Sequence, residues 1–147
     1  MDATDIKILR ILHDNARENA SVISDRINMS VSAVIERIRK LESQGVIKGY
    51  TAIVDEGLIG NDVLAYVSVG TEHPKYNEAF VAYVQQCDSI VECNYIAGDL
   101  DFMLKVSVPS TKDLERLLNE IKSVRGVSLT RTVVALSTVK NQYTICP

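Results

Sequence analysis

The 147-residue sequence predicts an α+β fold made of a helical N-terminal module and a mixed C-terminal module. Apolar residues recur at helical spacing in the first third of the chain, and segments with strand and helix patterns then alternate to the end. The composition, with 46% hydrophobic and 24% charged residues, is typical of globular rather than disordered proteins. The length allows one domain or two small ones, and the change of pattern favours two.

The first two predicted helices are short and begin at residues that commonly cap helices. Asp2, with Asp5 three residues later, places acidic groups at the positive end of the first helix dipole. Asn19 is a suitable N-cap for the second helix. The apolar residues at helical spacing in this region are Ile8, Leu9, Leu12, Ala16, Ile23 and Ile27.

A tight turn and a longer helix follow. Asn28 tolerates the left-handed conformation that a tight turn needs. Ser30 is placed to cap a helix over residues 31–44, which ends at Gly45. A short helix, a tight turn and a longer helix form the helix-turn-helix pattern. We therefore expect a helix-turn-helix domain over residues 1–45.

The third predicted helix has a core face and a polar face. At about 100° per residue, Val34, Ile38 and Leu41 lie on one narrow stripe, which predicts the buried side. Arg37 lies near the edge of this stripe, so we expect it to anchor the helix to its own domain.

The polar face of this helix is a candidate DNA-binding surface, because recognition helices contact base edges and phosphates from such a face. Ser32 and Glu36 are candidate base contacts, Ile35 could touch a thymine methyl group, and Arg39 and Lys40 are candidate phosphate partners. The full candidate set is Ser30, Ser32, Ala33, Ile35, Glu36, Arg39 and Lys40. The alternative is a solvated helix face in a domain that never contacts DNA.

The overall charge argues against nucleic-acid binding, and its distribution weakens that argument. The formal net charge is −3, whereas nucleic-acid-binding proteins usually carry a basic excess. Residues 21–50 contain five basic and three acidic side chains, a net charge of +2. We therefore expect a single subunit to bind DNA weakly and several subunits to act together.

Several classes of function find no support in the sequence. No apolar run is long enough for a transmembrane helix, and the acidic N-terminus does not resemble a signal peptide, so we expect a cytoplasmic protein. Three cysteines without C-x-x-C spacing indicate reduced thiols rather than a disulfide framework or a zinc site. We expect no catalytic residue, no metal site and no cofactor.

The segment that connects the two modules, residues 46–60, is predicted to be a strand arm. Residues 46–54 are rich in β-branched and aromatic side chains, and residues 55–60 interrupt that pattern. A lone strand exposes unpaired backbone groups unless another strand covers it. A symmetric partner would do so, which is a first indication of a homodimer.

The C-terminal module, residues 61–147, repeats one strand–helix–strand unit twice. Strands are predicted at 63–71, 90–97, 101–108 and 127–138, and helices at 74–86 and 111–124. This β-α-β-β-α-β order is the ferredoxin-like arrangement, with both helices on one face of the sheet. On the last strand neither side is charged enough to face bulk water throughout, so the uncovered sheet face predicts an association surface.

The hairpin between the two repeats, residues 97–101, is a second candidate site. Gly98 can adopt positive φ, and backbone N–H groups in such a turn can hold a carboxylate. Asp99 or Asp101 could then receive an ammonium group. The alternative, which the residues alone favour, is a tight turn whose aspartates bind their own backbone.

Three motifs resemble the Lrp/AsnC (feast/famine) family of prokaryotic transcription regulators. They are D-x-x-D-x-x-I-L-x-x-L from Asp2 to Leu12, the segment SVSAVIERIRKLESQGVIKGY from Ser30 to Tyr50, and Gly98-Asp-Leu-Asp. The resemblance covers essentially the whole chain. It implies a winged-type helix-turn-helix domain, a strand arm, a ferredoxin-like module, and dimers that often assemble into an octamer.

The resemblance also implies an effector site. Family members commonly bind an amino acid or a related small molecule between subunits, near the hairpin matched here. By position, the final strand would offer two threonine side chains to the ligand. The candidate effector-binding residues are therefore Ala97, Gly98, Asp99, Leu100, Asp101, Thr130 and Thr132.

These expectations combine into a sequence-specific DNA-binding regulator that responds to an amino-acid-type effector. One alternative is an architectural protein that wraps DNA without an effector. A third is a haem-type tetrapyrrole decarboxylase, since some proteins similar to this family are such enzymes. That activity would need a catalytic His or Arg in the C-terminal module, where His73 and Arg131 are weak candidates.

Overall fold

The computed structural model describes residues 1–146 and divides the chain into two compact units. The helical unit comprises Met1–Ile53 together with the residues from Lys140 onward, and the sheet unit comprises Val54–Val139. The helices are α1 (Ala3–Asp14), α2 (Ala20–Ile27), α3 (Val31–Ser43), α4 (Asn77–Gln85) and α5 (Thr111–Ser123). The strands are β1 (Val63–Thr71), β2 (Ile90–Tyr95), β3 (Phe102–Val108) and β4 (Val127–Val134).

Local capping fixes the helices of the helical unit. Asp2 and Asp5 form a reciprocal capping box at the start of α1. The Asn19 side chain accepts a hydrogen bond from a backbone N–H in the first turn of α2, and Ser30 does the same for α3. Asn28 ends α2 with φ +55°, the left-handed conformation that the sequence predicts. The three helices bury one core formed by Ile8, Leu12, Ile23, Val34 and Leu41.

The sheet unit is a four-stranded antiparallel sheet in the order β2-β3-β1-β4. Phe80 of α4 and Ile121 of α5 are completely buried against strand residues that include Val67 and Leu104. Both helices therefore cover the same face of the sheet. The order of elements confirms the α+β, ferredoxin-like fold that the sequence predicts.

Strand ends differ from the prediction where pairing ends. β4 ends at Val134 rather than at residue 138, because Val134 pairs with Ala65 near the start of β1 and little of β1 remains to pair with. β2 ends at Tyr95 for the same reason, since Tyr95 faces Phe102 at the beginning of β3. The helix predicted from residue 74 begins with a 3₁₀ turn, Pro74–Tyr76, before α4.

The predicted strand arm is not present in the described chain. Residues 46–60 form no strand, because a strand needs a partner for its backbone groups and none of the described segments pairs with this one. Instead, the Tyr50 hydroxyl donates to Glu42 at 3.0 Å, and residues 55–60 form a turn in which Asp55 accepts from the Leu58 amide. The Ser107 hydroxyl holds this turn by donating to Glu56 at 2.5 Å.

The sequence assigns the C-terminal residues to the ferredoxin-like module, and in the structure their contacts are with the helical unit. From Lys140 onward they group with the helical unit, where the His13 ring nitrogen Nε2 lies 3.3 Å from the Thr144 carbonyl. The chain has by then left the sheet, whose last strand ends at Val134. Across the residues that the structure describes, no helix has the length and apolar content to cross a bilayer.

Candidate DNA-binding helix and effector-binding hairpin

Helix α3 presents the predicted polar face to solvent. Val34 is fully buried and Leu41 is 1% exposed, while Ile38 packs against the same core. The opposite side of the helix carries the side chains that the sequence assigns to DNA. Among them Ser30, Ser32, Ile35, Glu36, Arg39 and Lys40 are exposed, and Ala33 is half-buried. The predicted contact surface is therefore open to a partner.

An arginine clamp fixes α3 against the start of α1. One nitrogen of Arg37, Nη1, lies 2.7 Å from Asp2 Oδ2 and 2.7 Å from Asp5 Oδ1. Asp5 is buried, so its charge needs this partner. The expectation that Arg37 anchors the helix within its own domain is confirmed.

The clamp and the capping box set the protonation of these groups. A hydrogen bond from the Asp2 backbone N–H, and then the Arg37 guanidinium, hold the pKa of Asp5 below its usual value. The Asp5 backbone N–H, followed by Arg37, lowers the pKa of Asp2 in the same way. Both carboxyl groups, hydrogen-bonded to Arg37, raise the pKa of its guanidinium. The clamp is therefore fully charged at neutral pH.

The hydroxyl groups at the start of α3 are already engaged. Ser30 Oγ accepts from the Ala33 amide at 3.3 Å and lies 3.1 Å from Ser32 Oγ. Ser30 therefore works as a helix cap, whereas, within the described residues, the Ser32 hydroxyl contacts only the Ser30 hydroxyl and caps no backbone group. The sequence predicts Ser30 as the cap and Ser32 as a base contact, and it includes both in the candidate DNA-binding set because a cap and a base contact use the same residue types.

The basic side chains of this region differ in their availability. Within the described residues, neither Arg39 nor Lys40 forms an ion pair with an acidic side chain, and both are exposed. Arg26, by contrast, pairs with Glu18 at 3.2 Å. Arg39 and Lys40 are therefore the cations of α3 that can meet a phosphate without first breaking a contact.

The hairpin of residues 97–101 does not have the predicted backbone. Gly98 is not among the glycines with positive φ, so the expected left-handed turn residue is absent there. A Cβ built on Gly98 would meet nothing within 4 Å, so the space above it is open. The neighbouring Leu100 instead folds over Gly70, where an added Cβ would lie 2.9 Å from Leu100 Cδ2. Packing of Leu100 against β1 therefore helps to hold the hairpin, which has no left-handed residue at Gly98.

The two hairpin aspartates have different surroundings. Asp101 Oδ2 accepts from the Thr71 amide at 2.8 Å and lies 3.1 Å from the Thr71 hydroxyl. Asp101 thus links the hairpin to the end of β1. Its Oδ2 atom accepts from Thr71 and not from the backbone of its own turn. Asp99 is 89% exposed, and its carboxylate lies 3.7 Å from Arg131.

Thr71 links the hairpin to α4. Its hydroxyl lies 2.9 Å from Asn77 Oδ1 as well as near Asp101. One hydroxyl hydrogen cannot serve two acceptors, so the network is satisfied when the Asn77 amide is turned to donate to Thr71 and Thr71 donates to Asp101. Sequence reasoning missed Thr71 and Asn77, because nothing local to Asp101 indicates a partner thirty residues away.

Thr130 and Thr132 are not brought together with the hairpin in one chain. They pair with Val69 and Val67, so they share the helix-covered face of the sheet and are half-buried. Asp101 lies on the other side of Val69, whose carbonyl accepts from its amide. A shallow cleft beside the end of α5 does include Thr130, and its lining residues are Lys122, Val127, Ser128, Leu129 and Thr130.

The uncovered side of the sheet is here called the open face. The registers assign to it Leu64, Tyr66, Ser68, Met103, Lys105, Leu129, Arg131 and Val133. Tyr66, Leu129 and Val133 are exposed despite their size. The open face is therefore partly apolar, as the sequence predicts, with charged groups at Lys105 and Arg131.

The cysteines form no disulfide in the part of the chain that the structure describes. Cys87 and Cys93 pack against the core of the sheet unit, and burial raises the pKa of the Cys93 thiol. All three cysteines are free. Residues 1–146 contain no cluster of three His, Cys, Asp or Glu side chains that could hold a metal ion.

Both units of the chain match known protein families. Residues 64–145 match the model of the Lrp/AsnC ligand binding domain, and residues 1–48 match a winged helix-turn-helix DNA-binding model. The leucine-responsive regulatory protein of Salmonella typhimurium is 35% identical over 143 residues, which are 95% of this chain and 87% of that protein.

Solved structures agree over the full length. The feast or famine regulatory protein of M. tuberculosis, in complex with L-methionine, superposes with a TM-score of 0.92 at 31% identity over 99% of both chains. AsnC of E. coli superposes with a TM-score of 0.92 at 25% identity, over 100% of this chain and 99% of that one.

Proposed function

Because this chain belongs to the Lrp/AsnC family of transcription regulators, we propose that it binds operator DNA through α3 and an amino acid at its hairpin. It is a DNA-binding regulator with a ligand-binding domain. Its role is binding rather than catalysis, and it acts in the cytoplasm, where its DNA is accessible.

The observation that carries the DNA site is the clamped, outward-facing α3. Arg37 holds the helix from behind through Asp2 and Asp5, so the opposite face is presented in one orientation. On that face Ser32 and Glu36 contact base edges, and Arg39 and Lys40 contact phosphates. Ser30 supports the helix as its cap.

The test measures binding of the full chain to a duplex that the chain itself selects from a random DNA pool, at several salt concentrations. Replacing Arg39 or Lys40 by alanine removes one phosphate contact each, so each variant lowers the affinity and reduces the salt slope by about one. Lys112→Ala, an exposed cation on α5, is the matched control and leaves both unchanged. Unchanged affinity and slope in the α3 variants would contradict the assignment.

We propose an effector site built from the hairpin, with an amino acid as ligand. L-Methionine bound by the structural relative from M. tuberculosis supports this ligand class. Asp99 receives the ammonium group, because it is exposed, whereas Thr71 already engages Asp101. The open space over Gly98 lets the ligand approach the turn from Ala97 to Leu100.

The threonines of this site come from a second subunit. Within one chain Thr130 and Thr132 lie on the helix-covered face, on the far side of β1 from the hairpin. A neighbouring copy would bring its own threonines to the hairpin along the edge strand β4, where the cleft that includes Thr130 opens. Asp101 positions the hairpin through Thr71 in this arrangement.

The chain forms a homodimer through its open face, and dimers assemble further, up to an octamer. The exposed Tyr66, Leu129 and Val133 support this, because such an apolar surface is typical of an interface. The unpaired residues 46–54 expose Ile53 and Val54 as well, and a partner strand would cover them. Joining several DNA-binding units offsets the few phosphate contacts of each one.

A further inference from the structure

Two of the exposed side chains on α3 are large and apolar. Val31 is 42% exposed and Ile35 is 37% exposed, although both belong to the helix that carries the DNA-binding face. Neither belongs to the core of the helical unit or packs against it. Single exposed apolar residues need no explanation, but these two are neighbours.

Val31 and Ile35 are four residues apart on α3 and therefore form one continuous apolar surface. Residues four apart on a helix are adjacent, with about 5–6 Å between their Cβ atoms. Val31 begins α3 and Ile35 is one turn later, and Arg39 continues the same line one turn further. The line therefore runs from two apolar side chains at the N-terminal end of the helix to an unpaired cation.

The chemistry of the major groove says what such a pair would contact. Base edges there are hydrogen-bond donors and acceptors, except for the 5-methyl group of thymine, which is apolar. The N-terminal residues of a recognition helix are those that reach base edges. Base pairs follow each other at about 3.4 Å, so two side chains 5–6 Å apart span one to two base steps.

We propose that Val31 and Ile35 together read two thymine methyl groups, so that each operator half-site carries two thymines no more than two base steps apart. Arg39 then contacts the phosphate beyond them. This inference rests on the proposed DNA-binding function and adds the base that α3 prefers. Val31 becomes a specificity residue beside Ser32 and Glu36, and it reads an apolar group where they read hydrogen-bonding base edges.

The experiment uses the full chain and the duplex that it selects from a random pool. The same duplex is synthesised with deoxyuridine in place of one thymidine at a time, which removes the methyl group and keeps the hydrogen-bonding pattern. Loss of one buried methyl contact lowers the affinity by about fourfold. We expect two positions, one or two steps apart, to show this loss.

Variants connect each methyl group to its side chain. Val31→Ala lowers the affinity for the thymine duplex by a similar factor and leaves binding to the matching uracil duplex unchanged, and Ile35→Ala does the same at the other position. Alanine favours the helix, so folding is retained. Val81→Ala, an equally branched and 37% exposed position on α4, is the matched control and changes neither affinity.

Three results would overturn the inference while the protein still binds DNA. Uracil could be without effect at every position, Val31→Ala could weaken both duplexes equally, or the variant could change the oligomeric state, which would make this pair a contact between copies. If no duplex is enriched and no salt-dependent binding is found, the proposed function itself fails, and the inference fails with it.

Discussion

The two candidate sites differ in how much of each a single chain contains. The proposed DNA-binding face lies within one helical unit, because Arg37 holds α3 and the candidate contact residues are on this helix or at its N-cap. The proposed hairpin site needs two chains, since Asp99 is exposed and the threonines lie across β1 from Asp101. If both proposals hold, one subunit can contact DNA alone, whereas effector binding requires an assembly of subunits.

The largest effect should come from removing the clamp. Arg37→Met leaves the Asp5 carboxylate buried without its cation, so the helical unit loses stability, and its melting temperature falls by roughly 5–10 °C. Thermal unfolding followed by circular dichroism measures this. Arg39→Met, two residues along the same helix and unpaired, is the control and keeps the melting temperature. Equal melting temperatures for the two variants would show that α3 does not depend on the clamp.

Substitution of the two hairpin aspartates should have different effects, one on stability and the other on amino-acid binding. Asp101→Ala leaves the Thr71 amide without its acceptor and costs the sheet unit about 1–3 kcal/mol. Asp99→Ala removes only an exposed pair and changes the stability by less than about 0.5 kcal/mol. Denaturant unfolding gives the first quantity, and calorimetry with L-methionine gives the affinity.

For Asp99→Ala we expect weaker methionine binding in a protein of unchanged stability. A variant that binds methionine as the original chain does would remove Asp99 from the site. If no amino acid binds the original chain, the effector proposal is contradicted as a whole.

The smallest expected effect is the loss of stability of the helical unit at low pH. The pKa values of Asp2 and Asp5 are lowered in the folded chain, so the stability they contribute is present above their unfolded pKa and is lost as the pH falls below about 4. The helical unit should therefore begin to unfold in acid through this contribution, and Arg37→Met should show a shallower pH dependence. Nuclear magnetic resonance signals from the two units, followed between pH 6 and pH 2, measure this. A pH dependence that is the same with and without Arg37 would contradict the assignment.

The sequence predicts those structural features whose determining residues are close together along the chain. The caps Asp2, Asn19 and Ser30 act within three residues, so the helix starts were predictable. The β-α-β-β-α-β order likewise follows from patterns within each segment, and the fold was predictable from it.

The features that the sequence did not predict depend on contacts between residues far apart along the chain. Residues 46–54 have the composition of a strand, but a strand needs a second one, which the described chain does not provide. The hydrogen bonds of Asp101 end on Thr71, thirty residues earlier, and only the register reveals them. On β4 the alternation was visible, but both sides are similarly apolar, so the sequence did not show that Thr130 and Thr132 face the helices.

Asp99 is exposed and lies apart from the threonines of its own chain, so the proposed effector site forms only where two chains meet. If each subunit supplies half of a binding site, the number of sites rises with the amount of protein that has assembled. The concentration of amino acid that gives a half-maximal response then depends on how much regulator the cell has made. The cellular concentration of such a regulator sets its sensitivity to the amino acid. A change in its rate of synthesis therefore changes that sensitivity.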